Sequence, residues 1–319
     1  MSSEKRIVVL DIGGTKIASA LVVLSDATLP CIKAYGKIPT EATRGGEFVL
    51  SRAIDSVQRV FNECEGCIDG IGVSSAGVID PFTGDVTYAN DLMPGWGGTH
   101  LGSALEEEFG VRVSVLNDVH AHALGEARWG AGRGKDSCLV VAIGTGIGGA
   151  FVDNGRILLG EHHEAGHVGH LACYHAHGIP CSCGASSHLE PIAAGPGIIE
   201  GYLEHGGSKS THDGSILDGA YIDKLARQGD PAAIFAEERS GSAIGEVLAS
   251  VANMLDPTCI ILSGSVAQCG PAWHKAMDIG WNETVMPPVA QTPRILGELA
   301  DDAPLIGAAE HVVRSAYGR

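Results

Sequence analysis

Positive charge is scarce in this chain: Lys and Arg number 21 against 38 Asp and Glu, a net charge of −17 over 319 residues. That disfavours a nucleic-acid partner, because phosphate backbones are gripped by clustered Lys and Arg that this sequence does not show. Long apolar runs are missing as well. Ile7 to Leu10 is too short for the core of a secretion signal, and no later run approaches the length that spans a bilayer. No membrane partner is expected, and a cytoplasmic location is. A disulfide framework is also unexpected, since nine cysteines, an odd number, are spread over a chain whose 45% apolar content can build a core without staples. Cys64 and Cys67 form a C-x-x-C between a helical pattern and a strand, and they read as two ordinary thiols. No low-complexity linker or short repeat is visible.

What is present reads as an α/β protein of about two lobes, at roughly 150 residues each. RIVVLDIGG is a buried strand running into a glycine turn, and IASALVVL is a second strand, so the two make a hairpin with a phosphate-sized bend. The spacing of Phe48, Val49, Ala53, Ile54, Val57, Val60 and Phe61 predicts a helix over 46–64, followed by a strand over 70–74. A helix is expected over 101–109. VRVSVLND is a strand ending in Asn117-Asp118, with a helix after it. From Ser137 the pattern restarts as strand, glycine turn, strand, then a turn at Asp153-Asn154-Gly155 and a third strand. Two such units suggest a duplicated fold with lobes facing a cleft. Residues 161–190 are irregular, with helices expected around 191–205, 221–225 and 231–255, a strand at CIILSGSVA and a closing helix at PLIGAAEHVVRSAYG.

Three glycine loops and one acidic strand end carry the chemistry. At Gly13-Gly14-Thr15-Lys16 backbone N–H groups can approach phosphate oxygens, with the Thr15 hydroxyl and Lys16 ammonium as further donors. The turn lacks the G-x-x-x-x-G-K-[ST] spacing of a Walker loop. Gly144-Thr145-Gly146-Ile147-Gly148-Gly149 satisfies G-x-G-x-x-G, but a strand follows it, whereas a dinucleotide fingerprint must open a helix. It reads instead as a phosphate loop between strands, with Gly264-Ser265 as a third loop near the nucleoside. Asp118 is either a helix N-cap or a general base for an attacking hydroxyl in phosphoryl transfer. Asn117 can orient that hydroxyl as donor and acceptor together. His167, His170, His175, His177, Cys181, Cys183 and His188 fall within 22 residues, a density that signals metal, most plausibly a closed structural zinc site.

These residues together resemble the ROK family (repressors, open reading frames and sugar kinases). Five motifs occur in order over nearly the whole chain: DIGGTK at 11–16, SSAGVID at 74–80, Asn117-Asp118, IGTGIGGA at 143–150, and AGHVGH at 165–170 followed by CSCGASSHLE at 181–190. The resemblance implies an actin-like ATPase (ribonuclease H-like) fold with two lobes around a cleft and a small zinc segment, Mg-ATP as donor, a homodimer, and transfer to the 6-hydroxyl of a hexose. The lobes are expected at 1–118, completed by the closing helix 304–319, and at 119–303, carrying the zinc segment 165–190. Asp11, Gly13, Gly14, Thr15, Lys16, Gly144, Thr145, Gly146, Gly264 and Ser265 would bind ATP. Gly77, Asn90, Asn117, Asp118, His167, His170 and Glu190 would bind the sugar. His170, Cys181, Cys183 and His188 would bind Zn²⁺, with His170 using its second ring nitrogen on a sugar hydroxyl.

Two departures from the family pattern matter. Its zinc motif usually ends in Gly-Cys, where this chain has Ser187-His188; an imidazole can take a thiolate's place in a tetrahedral site. Glucokinase-like members usually carry Glu three residues before the zinc histidine, where this chain has His167, a pattern similar to bacterial N-acetylmannosamine kinases. Replacing an acceptor-only carboxylate by an imidazole changes what the pocket asks of the sugar near its anomeric end. N-acetylmannosamine is therefore the expected acceptor, with glucose and N-acetylglucosamine as alternatives. The family's repressors carry a DNA-binding domain ahead of the first loop, and only ten residues precede Asp11, so a kinase is expected over a repressor. The retained Asp118 and both phosphate loops disfavour a sugar-binding protein without catalysis.

Overall fold

The computed structural model describes residues 4–25, 27–211, 214 and 216–315. In chain order the elements are β1 (Lys5–Ile12), β2 (Lys16–Ser25), β3 (Thr28–Pro39), α1 (Gly46–Glu63), β4 (Gly70–Ser75), β5 (Val78–Ile79), β6 (Val86–Tyr88), α2 (Leu101–Phe109), β7 (Val113–Asn117) and α3 (Asp118–Trp129). There follow β8 (Ser137–Ile143), β9 (Ile147–Asp153), β10 (Arg156–Ile157), α4 (Glu190–Ala193), α5 (Gly195–Glu204), α6 (Gly219–Arg227), α7 (Pro231–Leu255), β11 (Cys259–Ser263), α8 (Pro271–Thr284), β12 (Arg294–Leu296) and α9 (Ala303–Ser315). None of the described helices is long and apolar enough to cross a membrane. The chain divides into two compact units, one of residues 1–136, 151–165 and 298–319, the other of 137–150 and 166–297.

The first unit is built on a sheet of order β3-β2-β1-β4-β7. β1 pairs antiparallel with β2 and parallel with β4, and β4 pairs parallel with β7. β1 is apolar on both faces, as a central strand with helices on either side must be. Val8, Leu10 and Ile12 join Val49, Ala53 and Val57 of α1 in one core cluster. Ile7 and Val9 join Leu305, Ala309 and Val312 of α9 in another. Helix α9 also lies against α3 so closely that a Cβ at Gly307 would collide with the Ala121 carbonyl, and the unit accordingly runs on past residue 118 through α3.

Strand β3 is absent from the sequence expectation. Its inward residues are Pro30, Ile32, Ala34, Gly36 and Ile38, and the prolines and glycine read as turn signals that hide the period of two. It is held by antiparallel pairing along β2, from Lys16 opposite Pro39 to Ser25 opposite Thr28, with register shifts that follow Ser19 and Val23.

The second unit is centred on β8, which pairs parallel with β11, which in turn pairs parallel with β12. The strand order β10-β9-β8-β11-β12 repeats the first sheet's plan, as the duplicated strand–glycine–strand pattern predicts. β9 begins in this unit and passes to the first at Phe151, where Arg156 and Ile157 fold back on Asp153 and Val152. The long helix α7 packs on α8, an element the sequence pattern did not single out, and Trp273 of α8 donates its indole N–H to Ser240 of α7 at 3.0 Å.

Candidate functional site

The candidate residues fall into two groups, one in each unit. In the first, β1 ends at Ile12 and β2 begins at Lys16, so Gly13, Gly14 and Thr15 form the bend. Gly13 N–H closes it by donating to the Lys16 carbonyl at 3.0 Å, and Thr40 Oγ1 donates to the Gly13 carbonyl at 2.6 Å. The turn is thereby preformed. Gly14 and Thr15 are exposed at its tip. The Lys16 ammonium lies 3.4 Å from Asp301, whose side chain is 82% exposed; such a pair is weak in water, so Lys16 can exchange that partner for a phosphate at little cost. Asp301 is 285 residues away in sequence, and no local pattern could have found it.

Asn117 and Asp118 lie where β7 gives way to α3, and the structure separates their tasks. Asn117, not Asp118, is the N-cap: its Oδ1 accepts from Val119 N–H at 3.0 Å and from His120 N–H at 3.4 Å. Its Nδ2 donates to the Gly77 carbonyl at 2.9 Å, which brings the SSAGVID loop to the acidic strand end. Gly77 has φ 101°, and a Cβ there would come within 2.6 Å of the Tyr88 carbonyl oxygen, so the position requires glycine. Asp118 is the first residue of α3, with Oδ1 accepting from Val119 N–H at 2.9 Å. Burial pushes its pKa up to about 6, the negative charge of Asp11 adds to the rise, and bonds to backbone N–H groups oppose it. Asp11 is itself raised by burial, against a 2.7 Å hydrogen bond from Ser74. Two carboxyls thus share one desolvated corner, and the charge on Asp11 raises the proton affinity of Asp118. Asn90 is exposed in the loop after β6, its Oδ1 accepting from Leu92 N–H at 3.1 Å.

In the second unit, Gly144 N–H donates to the Gly146 carbonyl at 2.9 Å, and the Gly144 carbonyl accepts from Gly195 N–H at 2.8 Å, leaving Thr145 and Gly146 exposed at the tip. Glu190 reaches this loop. Its Oε2 accepts from Ile147 N–H at 2.8 Å, and its Oε1 accepts from Ser182 at 3.4 Å. A Cβ at Gly146 would come within 2.8 Å of that carboxylate. Gly264 and Ser265 are exposed just beyond β11, and Gly264, with φ 85°, lies against the backbone of Ile143.

The His- and Cys-rich stretch forms a knuckle. Cys181 N–H donates to the Ala185 carbonyl and Gly184 N–H to the Cys181 carbonyl, while Ala172 bridges to His188. His170, Cys181, Cys183 and His188 each offer a donor atom, all within 4.8 Å of one another. Cys181 Sγ is 3.5 Å from His170 Nδ1, and Cys183 Sγ is 3.3 Å from His188 Nδ1. Tetrahedral zinc with bonds near 2.3 Å to sulfur and 2.0–2.1 Å to nitrogen sets such pairs about 3.6 Å apart. The donor set therefore fits zinc in both chemistry and spacing. His167 packs against His170 with ring centroids 6.0 Å apart; His175 lies outside the cluster, 3.6 Å from Glu246.

The model of the ROK family matches residues 7–314. A glucokinase of Halalkalibacterium halodurans is 31% identical, over 96% of this chain and 94% of its own length. An N-acetylmannosamine kinase of Yersinia pseudotuberculosis is 29% identical, over 94% and 96% respectively. The crystal structure of a Streptomyces griseus ROK family glucokinase with glucose and AMPPNP superposes with a TM-score of 0.77 at 25% identity, covering 97% of this chain and 99% of that one. With the strand order described above, this makes the fold the actin-like ATPase fold that the motifs imply.

Proposed function

The chain belongs to the ROK family and is an ATP-dependent sugar kinase, and from that premise we propose that it phosphorylates the 6-hydroxyl of N-acetylmannosamine with Asp118 as the base. The observation that carries the catalytic part is the Asp118 carboxyl, raised to about 6 by burial and by Asp11. Ionised at neutral pH yet close to its pKa, it can take the proton of an acceptor hydroxyl as that oxygen attacks the terminal phosphorus. Because Asn117 supplies the helix cap, Asp118 is spared that structural task. Asn117 positions the hydroxyl with the amide hydrogen it does not give to Gly77. Gly14, Thr15 and Lys16 of the DIGGTK turn are assigned to the phosphates of ATP, as is the Gly144 to Gly146 loop, and Gly264-Ser265 is assigned to the nucleoside. Mg²⁺ bound with ATP would neutralise charge on the transferring phosphoryl group.

His170, Glu190 and Asn90 contact the sugar, and Gly77 shapes the loop beside it. His170, Cys181, Cys183 and His188 hold a structural zinc, supported by the donor spacing. Its bonds would fix the knuckle that presents His170. The acceptor rests on His167: an imidazole can donate a hydrogen bond where a carboxylate only accepts, which suits an N-acetyl group beside the anomeric end better than glucose. Assembly as a homodimer belongs to the same proposal and is checked by sedimentation.

The test is ADP release with Mg-ATP against a panel of acceptors. The highest kcat/KM is expected with N-acetylmannosamine. A preference for glucose would remove the argument from His167, and a panel in which no sugar stimulates ADP release would remove the kinase.

A further inference from the structure

Away from these residues, the second unit holds a buried acidic side chain packed against a second carboxylate and a thiol. Glu237 of α7 is 1% exposed, and neither of its side-chain oxygens has a hydrogen-bond partner of acceptable geometry. The groups it faces are Asp223 of α6 and Cys269, in the loop that joins β11 to α8. One donor atom from each of the three lies within 4.8 Å of the other two. Asp223 is fixed in place, accepting from Gly270 N–H at 2.7 Å and from Arg227 Nε at 2.8 Å. Each carboxylate oxygen has a second lone pair, so these bonds leave Asp223 able to ligate. A buried carboxylate set against a second carboxylate and a thiol is a costly arrangement unless something positive occupies the space between them.

We propose that Asp223, Glu237 and Cys269 bind a divalent cation of the zinc class, at a site separate from the His/Cys knuckle. Three atoms no more than 4.8 Å apart leave a point within about 2.8 Å of all three, and small side-chain adjustments bring that to the 2.0–2.3 Å of zinc–oxygen and zinc–sulfur bonds. The thiolate selects against Mg²⁺ and Ca²⁺, which take oxygen ligands, and favours a borderline-soft ion. Charge closes as well: three anionic ligands and the Arg227 guanidinium sum to −2, which a divalent cation neutralises. Asp223 is the partly exposed member, with 20% of its side chain open, and gives the ion its entry. A water completes the coordination. The ion ties α6 and α7 to the loop carrying Cys269, which begins at Gly264-Ser265, and so holds that glycine loop in position.

Native chain and Glu237→Gln, stripped with chelator and dialysed against buffered Zn²⁺, are compared by metal analysis. The native chain is expected to retain one more equivalent, whatever the knuckle holds in both. With ¹¹³Cd²⁺ as probe, the native chain is expected to give a resonance in the range of one-sulfur, oxygen-rich sites, lost in Cys269→Ala. Equal equivalents in native and variant overturn the proposal and leave a protonated Glu237 as the alternative. A native spectrum without a one-sulfur signal overturns it too, and decides alone if the glutamine variant fails to fold.

Discussion

Replacing Asp118 by Asn should make the protein more stable and nearly inactive at once. The folded chain holds the Asp118 proton up to about pH 6, whereas its ordinary value is 3.8. Between those values the folded state binds a proton that the unfolded chain has released, so this group's contribution to stability falls as pH rises through the window and is constant above it. At 1.36 kcal/mol per pH unit, the ionised carboxylate costs the native state about 3 kcal/mol at pH 8. Asn keeps the Oδ1 acceptor for Val119 N–H, and the Asn117 cap is untouched. Its amide hydrogens need partners that a carboxylate does not, which takes back about 1 kcal/mol. The variant should thus be about 2 kcal/mol more stable at pH 8, with the difference shrinking toward pH 4, while kcat drops by roughly 10²–10⁴ for loss of a general base. Urea unfolding across pH 4–8 reads the first effect and coupled ADP release the second. A variant less stable than the native chain at pH 8, or a difference independent of pH, would refute the electrostatic argument. Near-normal turnover would take Asp118 out of the mechanism.

In the native enzyme, kcat/KM should rise with pH through about 6 as Asp118 ionises; a profile flat from pH 5 to 8 would contradict this. His188→Ala should lose one equivalent of zinc relative to native by metal analysis, since it removes one of four donors; unchanged content would exclude His188 as a ligand. His167→Glu should move the ratio of kcat/KM values toward glucose, and an unchanged ratio would sink the substrate assignment. Glu126, fully buried in α3, accepts from the N–H groups of Ala131, Glu298 and Leu299 at 3.1, 3.0 and 2.7 Å. Glu126→Ala should therefore cost about 3 kcal/mol or more in urea unfolding, and a loss under about 1 kcal/mol would mean that water replaces the carboxylate there.

Local signals in the sequence carried most of the fold. The apolar strand into Gly13, the periodic helix expected over 46–64 and the polar strand end at Asn117 are each set by neighbours within a few residues, and each forms within a residue of where the pattern put it. Edge strand β3 was not legible because Pro30, Gly36 and Pro39 punctuate it, and pairing against β2 overrides those signals. At the strand end, residue type alone left open which residue caps α3; the hydrogen bonds of Asn117 make it the cap. The contacts of Asp301 with Lys16 and of Glu126 with residues 298–299 span 285 and 172–173 positions, and tertiary packing alone reveals them. The knuckle was visible because its His and Cys donors are close in sequence, whereas Asp223, Glu237 and Cys269 are spread over three segments and carry no spacing signature.

The docking of α9 on the first sheet also bears on biosynthesis. Ile7 and Val9 bury one face of β1 against Leu305, Ala309 and Val312, so that face has no covering helix until the last part of the chain has been made. At 5–20 residues per second, the interval between completing β4 and completing α9 is roughly 10 to 50 s. During that time a sheet with one apolar face open must wait beside the ribosome. Such a nascent chain has reason to engage a holding chaperone, and deleting α9 is expected to leave the first unit insoluble even with every residue of the turn at Gly13, Gly14 and Thr15 in place.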